Sequence, residues 1–220
     1  MTQEQYLSTC VSTPFGELNL CWKEGIAYQR DRTVSVPYDQ AYFDKYVSYE
    51  GTKIAQKLNA FRTDITRKYC STLLDIGIGS GEFIKSSKVL TYGYDINESG
   101  VQWLKERNLY LDPYTDDTDL VQGFTFWDSL EHIPEPIAII ERVPAYAFVS
   151  LPVFADLKQI RRSKHYRPNE HYFYYTFDGL VRLFDYGGFE LVEFSDGEIL
   201  AGREDIYTFV FRRRSCEWTS

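Results

Sequence analysis

Gly77, Gly79 and Gly81 stand at alternate positions after the apolar run Leu73-Leu74-Asp75-Ile76, and a stretch suited to a helix begins at Glu82. Without Cβ atoms such a segment can turn sharply and let a ligand lie against the main chain at the carboxyl end of a strand. A dinucleotide fingerprint requires glycine at 82, where this chain has Glu82. Asp95 ends the next apolar run, Thr91-Tyr92-Gly93-Tyr94. An acid there can accept hydrogen bonds from both ribose hydroxyls of an adenosine. Further on, Asp128, Glu131 and His132 are spaced i, i+3 and i+4. On one helical turn this spacing gathers two carboxylates and an imidazole on one face, as candidate metal ligands or as an acid–base group.

The elements that must position these residues follow from periodicity. From residue 72 onward, short apolar runs alternate with amphipathic stretches, the pattern of βα units in a mainly parallel sheet. Strands are expected at 72–76, 91–95, 108–111, 123–127, 145–151, 189–196 and 205–212, with helices at 82–89, 98–107, 135–142 and 177–186. The fold class is therefore α/β, a Rossmann-like, seven-stranded and mostly parallel sheet with helices on both faces. Thr176 is a suitable cap for the last helix, and Gly187-Gly188 can supply the positive φ that ends it. Residues 1–70 read as an accessory region, the core domain as 71–214 and a tail as 215–220. Within the accessory region, 10–22 reads as irregular, and Ile54, Leu58, Phe61, Ile65 and Tyr69 predict a helix over 52–69. Tyr38, Tyr42 and Tyr46 keep helical spacing and could form a lid over the ligand or pack against the domain.

LDIGIGSGEF followed by YGYDIN resembles the first two motifs of class I S-adenosylmethionine-dependent methyltransferases, and FWDSLEHIPEP and HYFYYTFDGLVRLFDYGGFELVE resemble that family's downstream segments. The resemblance spans about residues 71–196. It implies that Gly77, Gly79 and Gly81 pass under the methionine part of S-adenosylmethionine, that Asp75 helps hold its ammonium group, and that Asp95 grips the ribose. It also places Ile96 beside the adenine and Trp127 on the strand end facing the departing methyl group. The acid that often contacts the adenine amine stays unassigned among Asp112, Asp116 and Asp117. Segments similar to Asp128-x-x-Glu131-His132 occur in ubiquinone-pathway O-methyltransferases and small-RNA 2′-O-methyltransferases, where they hold a divalent metal. In the RNA group a further histidine comes from a segment resembling Glu170-His171-Tyr172-Phe173. The candidate metal set is thus Asp128, Glu131, His132 and His171, with His132 and His171 also candidate general bases. Relatives without metal use the Glu-His pair to order the loop, and both alternatives stand. The overall look, including Gly202-Arg203-Glu204-Asp205, also resembles methyltransferases carried by bacteriophages.

The expected reaction is an in-line transfer of methyl to oxygen or nitrogen of a small-molecule or nucleotide-type acceptor. A catalytically idle cofactor-binding partner subunit and a nicotinamide-dependent oxidoreductase are the alternatives, and Glu82 argues against the second. A net charge of −8 disfavours long nucleic acid without excluding it. Arg161, Arg162, Lys164 and Arg167, around His165, form a basic run that is either a solvated face or a grip for substrate phosphate; Arg212-Arg213-Arg214 decides nothing. Cys10, Cys21, Cys70 and Cys216 lack the paired spacing of a zinc site or disulfide framework. With no secretory signal and no apolar run near the ~18 residues of a membrane span, a cytoplasmic protein is expected.

Overall fold

The computed structural model describes residues 3–8, 10–30 and 37–214; the tail 215–220, with Cys216, lies outside them. In chain order they form α1 (Gln3–Ser8), β1 (Ser12–Phe15), β2 (Leu18–Cys21), β3 (Ile26–Gln29), α2 (Gln40–Val47), α3 (Lys53–Thr66), β4 (Thr72–Ile76), α4 (Glu82–Ser86), β5 (Leu90–Tyr94) and α5 (Glu98–Lys105). There follow β6 (Gly123–Trp127), α6 (Pro136–Arg142), β7 (Tyr146–Pro152), β8 (Phe173–Tyr175), α7 (Phe177–Tyr186), β9 (Phe189–Ser195), α8 (Gly197–Leu200) and β10 (Ile206–Arg213).

The main sheet has the order β5-β4-β6-β7-β10-β9. β5, β4, β6 and β7 run parallel, while β10 is antiparallel to both β7 and β9. Side chains of period two cover both faces. Leu74 and Ile76 of β4, with Phe124 and Phe126 of β6, join Ile137 and Ile140 of α6 and Leu183 and Phe184 of α7 in one buried cluster. Leu73, Trp127, Phe148 and Val210 join Ile65 of α3 and Phe83 of α4 in another. Part of the high aromatic content lies here: Phe184 stacks on Phe211 with ring centroids 4.0 Å apart and planes 3° from parallel, and both are fully buried. Each such phenyl contributes about 2–3 kcal/mol by leaving water.

Six strands rather than seven make this sheet among the described residues. The segment expected as a strand at 108–111 is reduced to one bridge, Gly93 to Tyr110. Asn108 turns the chain at φ 56°, and the Asp112 N–H is taken by the Asp116 carboxylate at 2.8 Å, just before a proline. Too few residues are left to extend a ladder. The stretch 10–22 is also not irregular: β1 and β2 form a hairpin through Gly16, at φ 61°, and continue into a second antiparallel sheet, β1-β2-β3-β8.

The helix ends follow their local chemistry. Thr52 accepts from the Ala55 N–H at 3.2 Å to start α3, and Thr176 accepts from Gly179 at 3.1 Å to start α7. Gly188, at φ 85°, supplies the left-handed residue after α7. No described helix is long and apolar enough to cross a membrane.

Candidate functional site

The loop between β4 and α4 carries its three glycines at φ 79°, 56° and 74°, the left-handed region where other residues are strained. Space is also short there: a Cβ on Gly77 would stand 2.9 Å from the Ser129 Cβ. The loop therefore rests directly on the turn that follows β6.

Asp95 lies at the end of β5. Its Oδ1 accepts the Asn97 N–H at 2.8 Å. Burial raises its pKa, while main-chain N–H groups of Asn97, Ile78, Ile96 and Gly79 work to lower it, so the glycine loop and this carboxylate converge. Ile96 beside it is exposed. Asp75 is buried and accepts from Thr125 Oγ1 at 2.6 Å, a contact set by the β4–β6 register that pairs the two residues. Desolvation pushes its carboxyl up to about 7. Trp127 faces α3 and α4, edge-on to Phe83 at 5.3 Å and under the Arg62 guanidinium at 4.9 Å.

Helix α2 packs beside α5 and over the glycine loop. Asn97 Nδ2 donates to the Asp39 carbonyl at 2.9 Å at one end of the helix, and the Gly51 N–H donates to Glu82 Oε1 at 2.8 Å beyond the other. Tyr38, Tyr42 and Tyr46 pack in series, edge-on and then tilted, with centroids 4.9 and 5.1 Å apart. The Tyr46 ring lies over Gly79, 3.5 Å from where a Cβ would stand, and the Tyr38 hydroxyl is 3.3 Å from His132 Nδ1. Sequence reasoning did not find the Tyr38–His132 contact.

Glu131, His132 and His171 come together, with one ligating atom from each lying within 4.8 Å of the others. The main chain explains how residues 40 apart meet: the Tyr172 N–H donates to the Glu131 carbonyl at 2.9 Å as the chain enters β8. The two imidazoles sit edge-to-face at 4.6 Å. Burial lowers the pKa of His132. His171 is pushed down to about 2 by burial and by His132 beside it. Burial, then the Asp128 charge, raises Glu131 well above the carboxylate range, and its Oε2 is buried with no hydrogen-bond partner.

Asp128 does not join this cluster. The 128–132 segment is not one helical turn, because Asp128 is left-handed at φ 55° and only Leu130–His132 winds as a 3-10 turn. Its carboxylate turns to Arg203, which donates to Oδ2 at 2.6 Å and Oδ1 at 2.9 Å. Burial works to raise Asp128, but Arg203 overcomes it and the carboxyl is held below its ordinary range.

The basic run is largely paired. Arg161 meets Glu17 at 3.6 Å, Lys164 meets Glu204, and Arg167 meets Glu170 at 3.0 Å. Arg162, together with the paired Lys164 and Glu204, lines a groove of about 1270 Å³ with Trp22, Phe177 and Phe194, which shares no residue with the glycine loop or the histidine cluster. Asp112 and Asp116 accept N–H groups of their own loop, and Asp117 caps the 3-10 turn at Thr118–Leu120.

Residues 44–194 match the family described as a methyltransferase domain, and the chain belongs to that family. Among solved structures it is similar to magnesium protoporphyrin IX methyltransferase from Synechocystis PCC 6803 with bound S-adenosylhomocysteine, at 14% identity and a TM-score of 0.56, covering 80% of this chain and 96% of that one. It is similar to the CcbJ methyltransferase of Streptomyces caelestis at 12% identity and a TM-score of 0.58, covering 82% and 100%. A possible histamine N-methyltransferase from Thermotoga maritima aligns at 12% identity and a TM-score of 0.55, covering 79% and 97%. No curated protein matches in sequence. The chain is thus a member of the methyltransferase-domain family, with the Rossmann-like fold shared by these S-adenosylmethionine-dependent enzymes.

Proposed function

We propose that this enzyme transfers the methyl group of S-adenosylmethionine, by in-line displacement, to an oxygen or nitrogen of a small-molecule or nucleotide-type acceptor activated at Glu131, His132 and His171. The observation that carries this reading is the burial of a carboxylate with an orphaned oxygen against two imidazoles, in the turn after β6 whose Ser129 rests against Gly77. Asp95 holds the ribose, Gly77, Gly79 and Gly81 lie beneath the methionine part, and Asp75 faces its ammonium group. Ile96 borders the adenine, and Trp127 backs the strand end from which the acceptor side begins.

Both imidazoles are neutral at physiological pH, so each has a lone pair for a proton or a cation. A divalent cation suits the set, since it would satisfy the Glu131 oxygen and reverse the conditions that keep its proton on. Glu131, His132 and His171 would hold it; mixed oxygen and nitrogen ligands favour manganese, iron, cobalt or zinc over magnesium. The chemistry it would supply there is Lewis-acid polarisation, which would lower the pKa of an acceptor hydroxyl. Without it, His132 takes the hydroxyl proton, with Tyr38 fixing the ring through Nδ1. The tyrosines of α2 act as a lid that keeps water from the sulfonium.

Chelation followed by cation add-back, with labelled S-adenosylmethionine and fractionated metabolites, separates the two routes. Turnover abolished and restored supports the cation; turnover indifferent to chelator leaves the histidine as base; no transfer to any fraction overturns the proposal.

A further inference from the structure

Arg203 occupies the turn Gly202-Arg203-Glu204-Asp205, between α8 and β10. Besides the fork on Asp128, its Nη1 donates to Glu198 Oε2 at 2.8 Å. Arg62, from α3, donates through Nε to Glu198 Oε1 at 2.7 Å and stands 3.5 Å from Asp128 Oδ2. Glu198 is fully buried. Two guanidinium groups and two carboxylates from three separate places in the chain, α3, the turn after β6 and the α8–β10 segment, thus form a closed network of zero net charge. Paired planar forks are the geometry in which arginine holds a carboxylate in fixed orientation.

The network anchors a point next to the cofactor loop. Asp128 has its main chain set by the left-handed turn and by its N–H, which donates to the Ser150 carbonyl at 2.8 Å. Its neighbour Ser129 rests on Gly77, and the Asp128 charge reaches Tyr46, whose ring covers Gly79. The paired carboxylate therefore stands where the glycine loop, the lid and the histidine cluster meet.

We infer that Arg203 is a positioning residue: it fixes Asp128 beside the methyl-donor subsite, away from the Glu131–His132–His171 cluster, and cancels its charge there. The inference rests on the reading that S-adenosylmethionine lies on the glycine loop. The donor carries a sulfonium charge that disperses in the transition state and is gone in S-adenosylhomocysteine. A bare carboxylate nearby stabilises the reactant more than the transition state and slows transfer, whereas a balanced pair does not. Equally, a bare guanidinium would repel the donor.

Calorimetry of S-adenosylmethionine and S-adenosylhomocysteine binding tests this on the parent chain, Asp128→Asn, Arg203→Gln and the double variant, with thermal melts confirming the fold of each. One uncancelled charge at an effective dielectric constant of about 20 should move the donor-to-product affinity ratio about tenfold. The ratio should fall in Asp128→Asn, rise in Arg203→Gln, and return to within about twofold of the parent in the double variant. Arg203→Lys keeps the charge and should hold the ratio near the parent value, which covers the case in which Arg203→Gln does not fold. A merely structural network would weaken both ligands together. Unchanged ratios in folded single variants, or shifts in the same direction, would overturn the inference alone. A parent chain that binds neither ligand would overturn the cofactor placement with it.

Discussion

Replacing Asp95 by alanine should weaken S-adenosylmethionine binding by about thirtyfold to a thousandfold. Asp95 Oδ1 already accepts the Asn97 N–H at 2.8 Å, and main-chain N–H groups of Ile78, Ile96 and Gly79 also face the carboxylate, so the two ribose hydroxyls share an acceptor that is partly satisfied. Two charge-assisted hydrogen bonds at about 1.5–3 kcal/mol each set an upper range of about 3–6 kcal/mol, and sharing the carboxylate with main-chain donors brings the loss to about 2–4 kcal/mol. Alanine also removes the turn that orients Asn97, whose Nδ2 holds the Asp39 carbonyl at the start of α2. Asp95→Asn separates the two effects, because its amide oxygen can keep the Asn97 bond while the negative charge is lost. Calorimetry with both variants should show most of the loss already present in the asparagine form. Wild-type affinity in Asp95→Ala would refute the ribose assignment; full affinity in Asp95→Asn with loss only in Asp95→Ala would shift the role of Asp95 to holding the lid.

Asp75 adds a pH dependence. Its carboxyl is raised from 3.8 to about 7, so the folded chain holds a proton that the unfolded chain releases, and stability should fall as pH rises through that window. The cofactor ammonium needs the carboxylate form, so affinity should weaken as pH drops below about 7, and Asp75→Asn should flatten that profile; an unchanged slope in the variant would remove Asp75 from the site. Tyr46→Ala uncovers Gly79 and should speed cofactor dissociation severalfold in stopped-flow with little change in melting temperature, an outcome that equal dissociation rates would contradict. Phe184→Ala deletes a ring stacked in the core and should cost about 3–5 kcal/mol in urea unfolding with an unchanged m-value. A loss under about 1 kcal/mol would show that the cavity collapses.

The glycine loop, Asp75 and Asp95 were legible because their signal is local: an apolar strand, residues free of Cβ, and an acid at the next strand end. Helix α7 was equally plain, since Thr176 and Gly188 mark its ends. The hairpin at Ser12–Cys21 was hidden because four-residue strands of mixed polarity barely alternate. Asp128 misled for another reason. The i, i+3, i+4 spacing says where a side chain points only if the backbone is helical, and one left-handed residue at 128 turned the carboxylate toward Arg203. Arg62 and Glu198 carried no signal, because a buried ion network is assembled by tertiary contact and leaves no spacing in the chain. His171 was reachable only through family resemblance, its partner residues lying 40 positions away.

Methyl transfer at the Glu131–His132–His171 cluster is tested most directly by following labelled methyl from S-adenosylmethionine into fractionated metabolites and nucleotides with the parent chain and His171→Ala. The parent should label a small-molecule or nucleotide-type fraction. His171→Ala, with cofactor affinity within about twofold of the parent because the residue lies outside the glycine loop, should lose that label by at least about a hundredfold. Equal labelling by both proteins, or tight cofactor binding by the parent with no label transferred to any fraction, would contradict the account.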